Sequence, residues 1–431
     1  MQIENIAWYF LMIGVFVAEA ALLVKVLPRQ STAGTGAADN TRLATLDGLR
    51  GILALSVFVH HCVLFHAASL TGKWENHSSA FYAQMGVLPV TLFFFITGYL
   101  FWTKLVKRPS LPFGRFITER LARLGSAYWV ACIVFFLLVA ISSHFQRRVS
   151  LPVLVGQMSG WCSFLAAGHD MNGLPDSRFL FGQVWTLRLE WCFYLTLPLL
   201  GWFARRRLRL LLLLGCAAAG SVVFNEFRSI GKAGVPLSFA ADYLRFLALV
   251  FGVGMLIAIL PVNAKGLALA RSSTATILSF LFIGGTLAFV PAAYGVQESS
   301  WLALPFLCVC LGNSWFGLLQ SSPMQLLGRI SYSFYLFHAF ALHIGLVLLQ
   351  RFVPVASLDP VSYWGFAGAC GVAAVAISCL SWHWLERPFL HGMARVQRSP
   401  QESASSEQLL QVARFTKDDE SAQAPSASLV N

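Results

Sequence analysis

Long apolar runs recur along the whole chain and constrain its fold more than any other feature. They are about 20 residues long, which suits a membrane-spanning α-helix, whereas a spanning β-strand needs only about ten. Apolar residues make up 57% of the 431 residues and charged residues 12%, a composition that excludes a soluble globular domain. We therefore predict an all-α fold, a polytopic bundle of transmembrane helices.

The runs divide the chain into three parts. Residues 1–44 hold one extra N-terminal helix and a loop, residues 45–390 form a membrane domain of about ten helices, and residues 391–431 are a polar tail predicted to be disordered. The segment Ala18-Glu19-Ala20 resembles a signal-peptide cleavage site, but no basic residues precede the first run, so we expect an uncleaved helix. The predicted spans are 6–24, 46–66, 86–103, 126–143, 183–203, 209–224, 240–260, 273–291, 300–318, 331–350 and 363–385.

The basic residues predict the orientation of the bundle. If the loop 25–45 faces the cytoplasm, 22 of the 31 Lys and Arg residues lie on that side and seven lie outside. The net charge of +12 then reflects a cytoplasmic rim against anionic lipid, and a nucleic-acid partner is not needed to explain it. The tail is accordingly predicted to be cytoplasmic.

An arginine and a histidine lie within the second apolar run. Arg50 and His61 are eleven residues apart, which on a helix is within about 20° of three full turns and about 16 Å along the axis. Both side chains therefore share one helix face. Ionisable groups at membrane depth are costly and indicate a functional site. His60 and His66 lie nearby, but no ligand set at metal spacing accompanies them, so no metal site is predicted.

Two further segments carry ionisable side chains. Arg120 and Arg123 share a helix face, where they either bind phosphate or are ordinary cytoplasmic cations. Glu190 and Tyr194 share another face, and Glu190 is either catalytic or paired with Arg188 or Arg245. In a later span, His338 is either a core histidine or a participant in the site.

Taken together, these segments resemble the acyltransferase-3 family of integral-membrane acyltransferases, from about residue 45 to residue 390. The matching motifs, in chain order, are Leu46-Asp47-Gly48-Leu49-Arg50 with His61, Thr91-Leu92-Phe93-Phe94-Phe95-Ile96-Thr97-Gly98-Tyr99, Arg120-x-x-Arg123, Trp185-x-Leu187-x-x-Glu190-x-x-x-Tyr194, Gly328-x-x-Ser331-Tyr332-Ser333-x-Tyr335-Leu336-x-His338 and Glu386-x-Pro388. The family's usual proline after the arginine pair is missing from Leu124-Gly125-Ser126-Ala127, which leaves the entry into that helix open. The stand-alone form, with no fused esterase-like domain, is expected.

The resemblance implies transfer of an acyl group, most commonly acetyl, from cytoplasmic acyl-CoA to a hydroxyl of a surface glycan or lipid-linked saccharide. It further implies a bacterial inner-membrane protein that contacts membrane lipid and binds acyl-CoA as a substrate, with no bound cofactor. His61 is the expected general base, since imidazole titrates near neutral pH. Glu190 would be the second catalytic residue, holding the other nitrogen of His61 or binding the sugar. Arg50, Arg120 and Arg123 would bind the donor. The expected supporting residues are Asp47, Trp185, Tyr194, Ser331, Tyr332 and His338.

Two other functions use the same features. A polytopic transporter would use the buried ionisable residues as a relay, and pseudo-symmetric broken helices would favour it, but the sequence shows none. A membrane protein that only binds a partner would not need Arg50 and His61 on one helix face. We therefore predict a membrane O-acyltransferase.

Overall fold

The computed structural model describes residues 2–26, 37–74, 79–107, 112–164, 168–201, 207–229 and 235–388. These residues are mainly α-helical and, apart from an isolated bridge between Met171 and Leu174, contain no β-structure, which confirms the all-α prediction. The helices are α1 Ala7–Val26, α2 Ala37–Thr71, α3 Ala80–Lys107, α4 Phe113–Arg120, α5 Ser126–Ser142, α6 Leu151–Cys162, α7 Trp185–Gly201, α8 Arg207–Ser229, α9 Val235–Phe246, α10 Gly252–Ala258, α11 Ala264–Ala270, α12 Ser273–Phe289, α13 Val296–Cys310, α14 Ser322–Leu349 and α15 Pro360–Ser381.

Short helical turns of other types complete the chain. Three are π-helical, Leu121–Gly125, Leu247–Phe251 and Trp382–Glu386, and each continues an α-helix. Three are 3₁₀ turns, Ser177–Val184, Leu318–Gln320 and Val355–Ser357. Single π turns within α-helices are frequent at functional sites.

Seven of the described helical segments are long and apolar enough to cross a membrane. An eighth span results if α11 and α12, which meet at a 58° bend, are counted as one. The predicted spans at 209–224 and 300–318 correspond to shorter apolar helices, Arg209–Gly220 and Val296–Cys310. The chain is thus polytopic, as predicted, although not every predicted span is a full-length helix.

Two helix boundaries differ from the prediction at functionally important places. The span predicted at 126–143 begins at Phe113, because the turn Leu121–Gly125 joins α4 to α5 without a break. Arg120 and Arg123 therefore lie on one continuous helical segment, as the helix face predicted for them requires. The span predicted at 331–350 begins at Ser322, with a proline in its first turn, where proline is well tolerated.

The predicted span 300–318 ends early for a local reason. Helix α13 ends at Cys310, and Gly312, Trp315 and Phe316 adopt positive φ, which a helix does not permit. The Asn313 side chain holds this turn by donating to the Ala270 carbonyl at 2.7 Å. Hydropathy alone cannot detect such a turn, because Trp315 and Phe316 are apolar.

The interior of the bundle consists of two apolar clusters. One is built mainly from α3, α5, α7 and the π turn before α10, and the other from α1, α2, α14 and α15. Helices α2 and α14 border both clusters and pack extensively on each other. The candidate site lies along this border. The predicted tail, residues 391–431, lies outside the described residues, and the domain boundaries stay predictions.

Candidate functional site

Gly328 lets α2 and α14 approach each other almost to backbone contact, and Gly48 lets the turn Leu318–Gln320, just before α14, approach α2 as closely. A Cβ atom on Gly328 would lie 1.9 Å from the Asp47 carbonyl oxygen, and one on Gly48 would lie 1.9 Å from the Leu319 carbonyl oxygen. Any larger residue would force the helices apart. The glycines of the two motifs therefore serve the packing that brings the side chains of α2 and α14 together.

His61 and His338, here called the histidine pair, meet across this contact. Nε2 of His338 lies 3.1 Å from Nδ1 of His61, which is also 3.0 Å from the Val57 carbonyl oxygen. His338 is fully buried, and its Nδ1 lies 3.0 Å from the Phe334 carbonyl oxygen. His338 is therefore a core residue that also contacts the predicted base.

His60 lies beside the pair but has other contacts. Its Nδ1 is 2.8 Å from the Tyr82 carbonyl oxygen, and its ring fills the space over Gly86. The rings of His60 and His61 are 5.1 Å apart at nearly perpendicular orientation. The two adjacent histidines therefore occupy different environments, in agreement with their different directions on the helix.

Arg50 and three other cations form a group that we call the arginine end. Arg50, Lys104, Arg120 and Arg123 are close enough for mutual electrostatic repulsion. The Arg50 guanidinium donates to the Asp47 carboxylate at 3.2 Å, which fixes its position on α2. Gathering like charges is unfavourable unless an anion balances them, so the arginine end is suited to a polyanionic ligand.

Within this group, the Arg120 guanidinium keeps one hydrogen-bond donor without a described acceptor. Its guanidinium lies over the Phe101 ring at 5.1 Å and the Phe116 ring at 5.8 Å. Its Nε is buried and makes no hydrogen bond within the described part of the chain. A buried donor without an acceptor is costly, and an incoming phosphate oxygen would satisfy it.

Glu190 is held by two hydroxyl groups. The Tyr194 hydroxyl donates a short hydrogen bond to Oε1 of Glu190, and Oγ1 of Thr97 lies 3.5 Å from the same oxygen. Arg245, one of the ion-pair partners considered above, pairs instead with Asp242 at 3.2 Å. These contacts fix the carboxylate with neutral donors. Contact with His61 was one of the two roles expected for Glu190. At Nδ1 of His61, however, the described side-chain contact is with His338.

Two π turns pack against each other beside the arginine end. The turn Leu121–Gly125 occupies the position where the family's proline is missing, and it contacts the turn Trp382–Glu386. The Tyr332 hydroxyl donates to the Leu124 carbonyl at 2.7 Å, a carbonyl of the first turn. Helix entry without proline is therefore accomplished by a π turn that a neighbouring tyrosine stabilises.

Glu386 is an almost completely buried carboxylate in the second of these turns. It accepts a short hydrogen bond from the Ser333 hydroxyl, and Ser333 also lies 2.8 Å from the Ser381 hydroxyl. Arg123 interacts electrostatically with Glu386. Glu386 thus lies close enough to Arg123 to interact with it, and its position is fixed by Ser333.

A row of partly exposed polar side chains lies on the helices that carry the arginine end and the histidine pair. They all lie on helices of the bundle interior, and they are Arg50, His61, Arg120, Arg123, Glu190, Tyr332 and Tyr335. Glu190 interacts electrostatically with both tyrosines, Tyr332 and Tyr335, and the Tyr335 ring lies 6.0 Å from that of His338. Both groups therefore include side chains that keep some solvent-accessible surface.

Two predicted supporting residues do not join this row. The Ser331 hydroxyl donates to the Gly328 carbonyl of its own helix at 2.8 Å. Trp185 packs against Phe246 and Tyr294 and remains 40% exposed. Neither makes a described hydrogen bond to the histidine pair or to the arginine end.

The sequence interpretation did not select Lys104, Thr97 or Tyr335 as site residues, and it quoted Glu386 only as part of a motif. Lys104 lies at the end of α3 and is typical of a cytoplasmic helix end, so its sequence position carried no special signal. Tyr335 donates to the Gln183 carbonyl at 2.8 Å, a contact between segments about 150 positions apart that periodicity cannot reveal. For Thr97, Tyr335 and Glu386, the available signal was that they belong to the quoted family motifs.

Comparison with known proteins assigns the chain a family. Residues 43–383 match the family model described as an acyltransferase domain, the acyltransferase-3 model. The putative peptidoglycan O-acetyltransferase YrhL of Bacillus subtilis (strain 168) is 26% identical over 377 residues, 80% of this chain and 54% of YrhL. The acyltransferase MdmB of Streptomyces mycarofaciens is 26% identical over 371 residues, 79% of this chain and 88% of MdmB. The chain therefore spans about half the length of YrhL. No solved structure matches it.

Proposed function

This chain belongs to the acyltransferase-3 family and is a membrane O-acyltransferase, and on that premise we propose that it transfers an acetyl group from cytoplasmic acetyl-CoA to a hydroxyl of a cell-envelope glycan or lipid-linked saccharide. The observation that carries the proposal is the group of cations at the arginine end together with the partly exposed His61, which lies on the same helix as Arg50. A transporter has no comparable support, since the family assignment indicates group transfer.

The arginine end supports binding of the donor. Coenzyme A carries phosphates at its nucleotide end, and guanidinium groups bind phosphate oxygens in a bidentate manner. Arg120 offers a buried Nε donor without an acceptor in the described structure, and Arg123 and Lys104 add positive charge. The pantetheine arm would then extend along the row of polar side chains toward His61.

His61 would act on the acceptor hydroxyl. The hydroxyl oxygen attacks the thioester carbon, the new C–O bond forms, and the C–S bond breaks. His61 takes the hydroxyl proton as general base and returns it to the departing thiolate, so that the products are the ester and free coenzyme A. The histidine is regenerated, and no further reactant is required.

Glu190 would orient the acceptor. A carboxylate accepts hydrogen bonds from sugar hydroxyls, and Tyr194 and Thr97 hold this one in place. The acetyl identity of the donor follows from the family resemblance alone. The saccharide acceptor is proposed from the name of YrhL, which refers to peptidoglycan.

The activity is tested in a bacterial host that lacks O-acetylated envelope glycans. Mass spectrometry of peptidoglycan fragments and lipid-linked saccharides should detect acetyl esters when the wild-type protein is produced. His61→Ala should produce none at equal protein abundance. If the wild-type protein is active but no saccharide fraction carries acetyl esters, the proposed saccharide acceptor is wrong. If the purified protein does not consume acetyl-CoA, the proposed donor is wrong.

The sidedness of the reaction is a separate proposal. We place the tail and the loop between α13 and α14 in the cytoplasm, and the loop between α14 and α15 outside, because of the distribution of basic residues. The test uses a cysteine-free variant produced in the bacterial inner membrane, and single cysteines are placed at two exposed positions. An impermeant thiol reagent should label Ser357→Cys in intact spheroplasts and Gln320→Cys only after lysis. The reverse pattern would put the arginine end on the wrong side for cytoplasmic acyl-CoA.

A further inference from the structure

We propose that His338 is a positioning residue that fixes the tautomer of His61 and stabilises its protonated form, so that Nε2 of His61 is the nitrogen that takes the acceptor proton. The inference rests on the proposed function and assigns a role within the same site. It is carried by the hydrogen-bond geometry of the histidine pair.

The tautomer of His338 follows from its surroundings. Its Nδ1 lies 3.0 Å from the Phe334 carbonyl oxygen. A carbonyl can only accept a hydrogen bond, so Nδ1 of His338 carries a hydrogen. In a neutral imidazole the other nitrogen is then an acceptor, and Nε2 of His338 therefore presents a lone pair to His61.

The tautomer of His61 follows in turn. Its Nδ1 lies between two acceptors, the Val57 carbonyl oxygen at 3.0 Å and Nε2 of His338 at 3.1 Å. Only a protonated Nδ1 is compatible with both. Neutral His61 consequently has its lone pair on Nε2, the nitrogen that must receive the proton in general-base catalysis.

The second acceptor becomes more important when His61 is charged. Proton uptake at Nε2 converts His61 to imidazolium, whose Nδ1–H is a stronger donor than that of the neutral ring. His338 is fully buried and bonded at both nitrogens, so it needs no reorganisation to receive this hydrogen bond. The arrangement follows the general pattern in which a third group orients the base.

Other groups around the pair enter the interpretation of pH profiles. His60 lies on α2 with its ring 5.1 Å from His61, and Tyr335 lies on α14 with its ring 6.0 Å from His338. Glu190 on α7 interacts electrostatically with Tyr335. None of these residues is changed in the experiment, so their contributions are the same in every variant.

Two conservative variants of His338 separate positioning from packing. In His338→Gln, the amide can occupy the place of Nε2 and accept from His61. In His338→Asn, the shorter amide can occupy the place of Nδ1 and keep the Phe334 contact, but it removes the second acceptor and leaves Nδ1 of His61 with the Val57 carbonyl. We expect His338→Gln to retain kcat within about tenfold of wild type and His338→Asn to lose about 100-fold, with donor KM changed by less than about threefold in both.

The pH profile of kcat provides the second measurement. Loss of an acceptor for the imidazolium should move the acidic limb of the profile to lower pH in His338→Asn, whereas His338→Gln should keep the limb near the wild-type position. Equal kcat values for the two variants, or an unmoved limb in a folded but slow His338→Asn protein, would overturn the proposal. An inactive wild-type protein would instead contradict the proposed function, and a dead His61→Ala protein beside fully active His338 variants would contradict only this inference.

Discussion

The histidine pair and the arginine end are held in place in different ways. His338 is fully buried and hydrogen bonded at both ring nitrogens. Arg120, in contrast, is held by ring contacts and has a buried Nε without a described acceptor. The first group is hydrogen bonded at both nitrogens of His338, whereas the second keeps a donor that the proposed acyl donor would satisfy.

This difference separates two kinds of contribution to the reaction. A preorganised base lowers the barrier of the chemical step without reorganisation, so its loss should reduce kcat. A cationic group that awaits an anion contributes mainly to binding, so its loss should raise the donor KM. The predictions below test this division.

The largest effect is expected for His61→Ala. Removal of a general base typically costs about 10² to 10⁴ in rate, and kcat should fall in this range with little change in donor KM. His60→Ala is the matched control, since His60 contacts Tyr82 and Gly86. It should retain most of the activity in an acetyl-transfer assay with purified protein. Equal losses in the two variants would remove the distinction between the adjacent histidines.

The next largest effect is expected for Gly328→Ala, which would disturb both groups at once. Its Cβ would lie 1.9 Å from the Asp47 carbonyl oxygen, and overpacking of this kind costs about 1–3 kcal/mol. Thermal unfolding in detergent should show a lower Tm. Gly365→Ala is the control, because a Cβ there meets no atom within 4 Å. A Gly328→Ala protein as stable as this control would refute the close approach of α2 and α14.

A smaller effect, confined to donor binding, is expected for the arginine end. Arg120→Lys and Arg123→Lys keep the charge but lose the bidentate geometry, so each should raise the donor KM about tenfold with kcat nearly unchanged. Arg115→Lys is the control, since Arg115 is exposed and pairs with Glu119 at 3.1 Å. Steady-state kinetics with acetyl-CoA provide the measurement. A fall in kcat at constant KM would place these arginines with the chemical step.

The smallest effect concerns Asp359, which caps the first turn of α15 by accepting from the backbone of Val361 and Ser362. Hydrogen bonds from Ser362 lower the pKa of this carboxyl below its ordinary value of 3.8. Its stabilisation is therefore complete above that value and is lost as the pH falls through the lowered pKa. Asp359→Asn, which cannot titrate, should show a slightly smaller fall in Tm between about pH 6 and about pH 3.

The Tm measurement on Asp359→Asn also serves as a control for the pH profiles of activity. Loss of folded protein in acid would imitate titration of the histidine pair. An Asp359→Asn protein whose Tm falls as steeply as that of the wild type would show that the cap contributes nothing to acid sensitivity. The acidic limb of the activity profile should be the same in wild type and Asp359→Asn.

The sequence predicted the helical class and most of the spans, because these depend on local composition and on helix periodicity. Arg50 and His61 illustrate this, since their shared face follows from a spacing of eleven residues. The contact between His61 and His338 joins positions 277 apart, and no periodicity within one helix can predict it. The same limit applies to Glu190, for which the sequence left two roles open, contact with His61 or binding of the sugar. Its described hydrogen bonds are to Tyr194 and Thr97.

Helix boundaries were less predictable for a different reason. Hydropathy marks the apolar centre of a span but not the amphipathic turns at its ends, so the start of the helix at Phe113 was missed. The bend between α11 and α12 depends on the Ser272 side chain, which accepts from Ala275 N at 3.1 Å and starts a new helix. Such local caps interrupt an apolar run without changing its composition.

The near-contact of α2 and α14 limits how substrates enter and leave. Two helices whose backbones touch at Gly328, with Gly48 packed as closely on the turn before α14, cannot slide or part without losing that fit, so they behave as one rigid strut. A breathing motion that admits the proposed donor would then come from the other walls, where α4 and α7 carry Arg120 and Glu190. Efforts to broaden the range of accepted donors should therefore alter α4 and α7 and leave the strut unchanged.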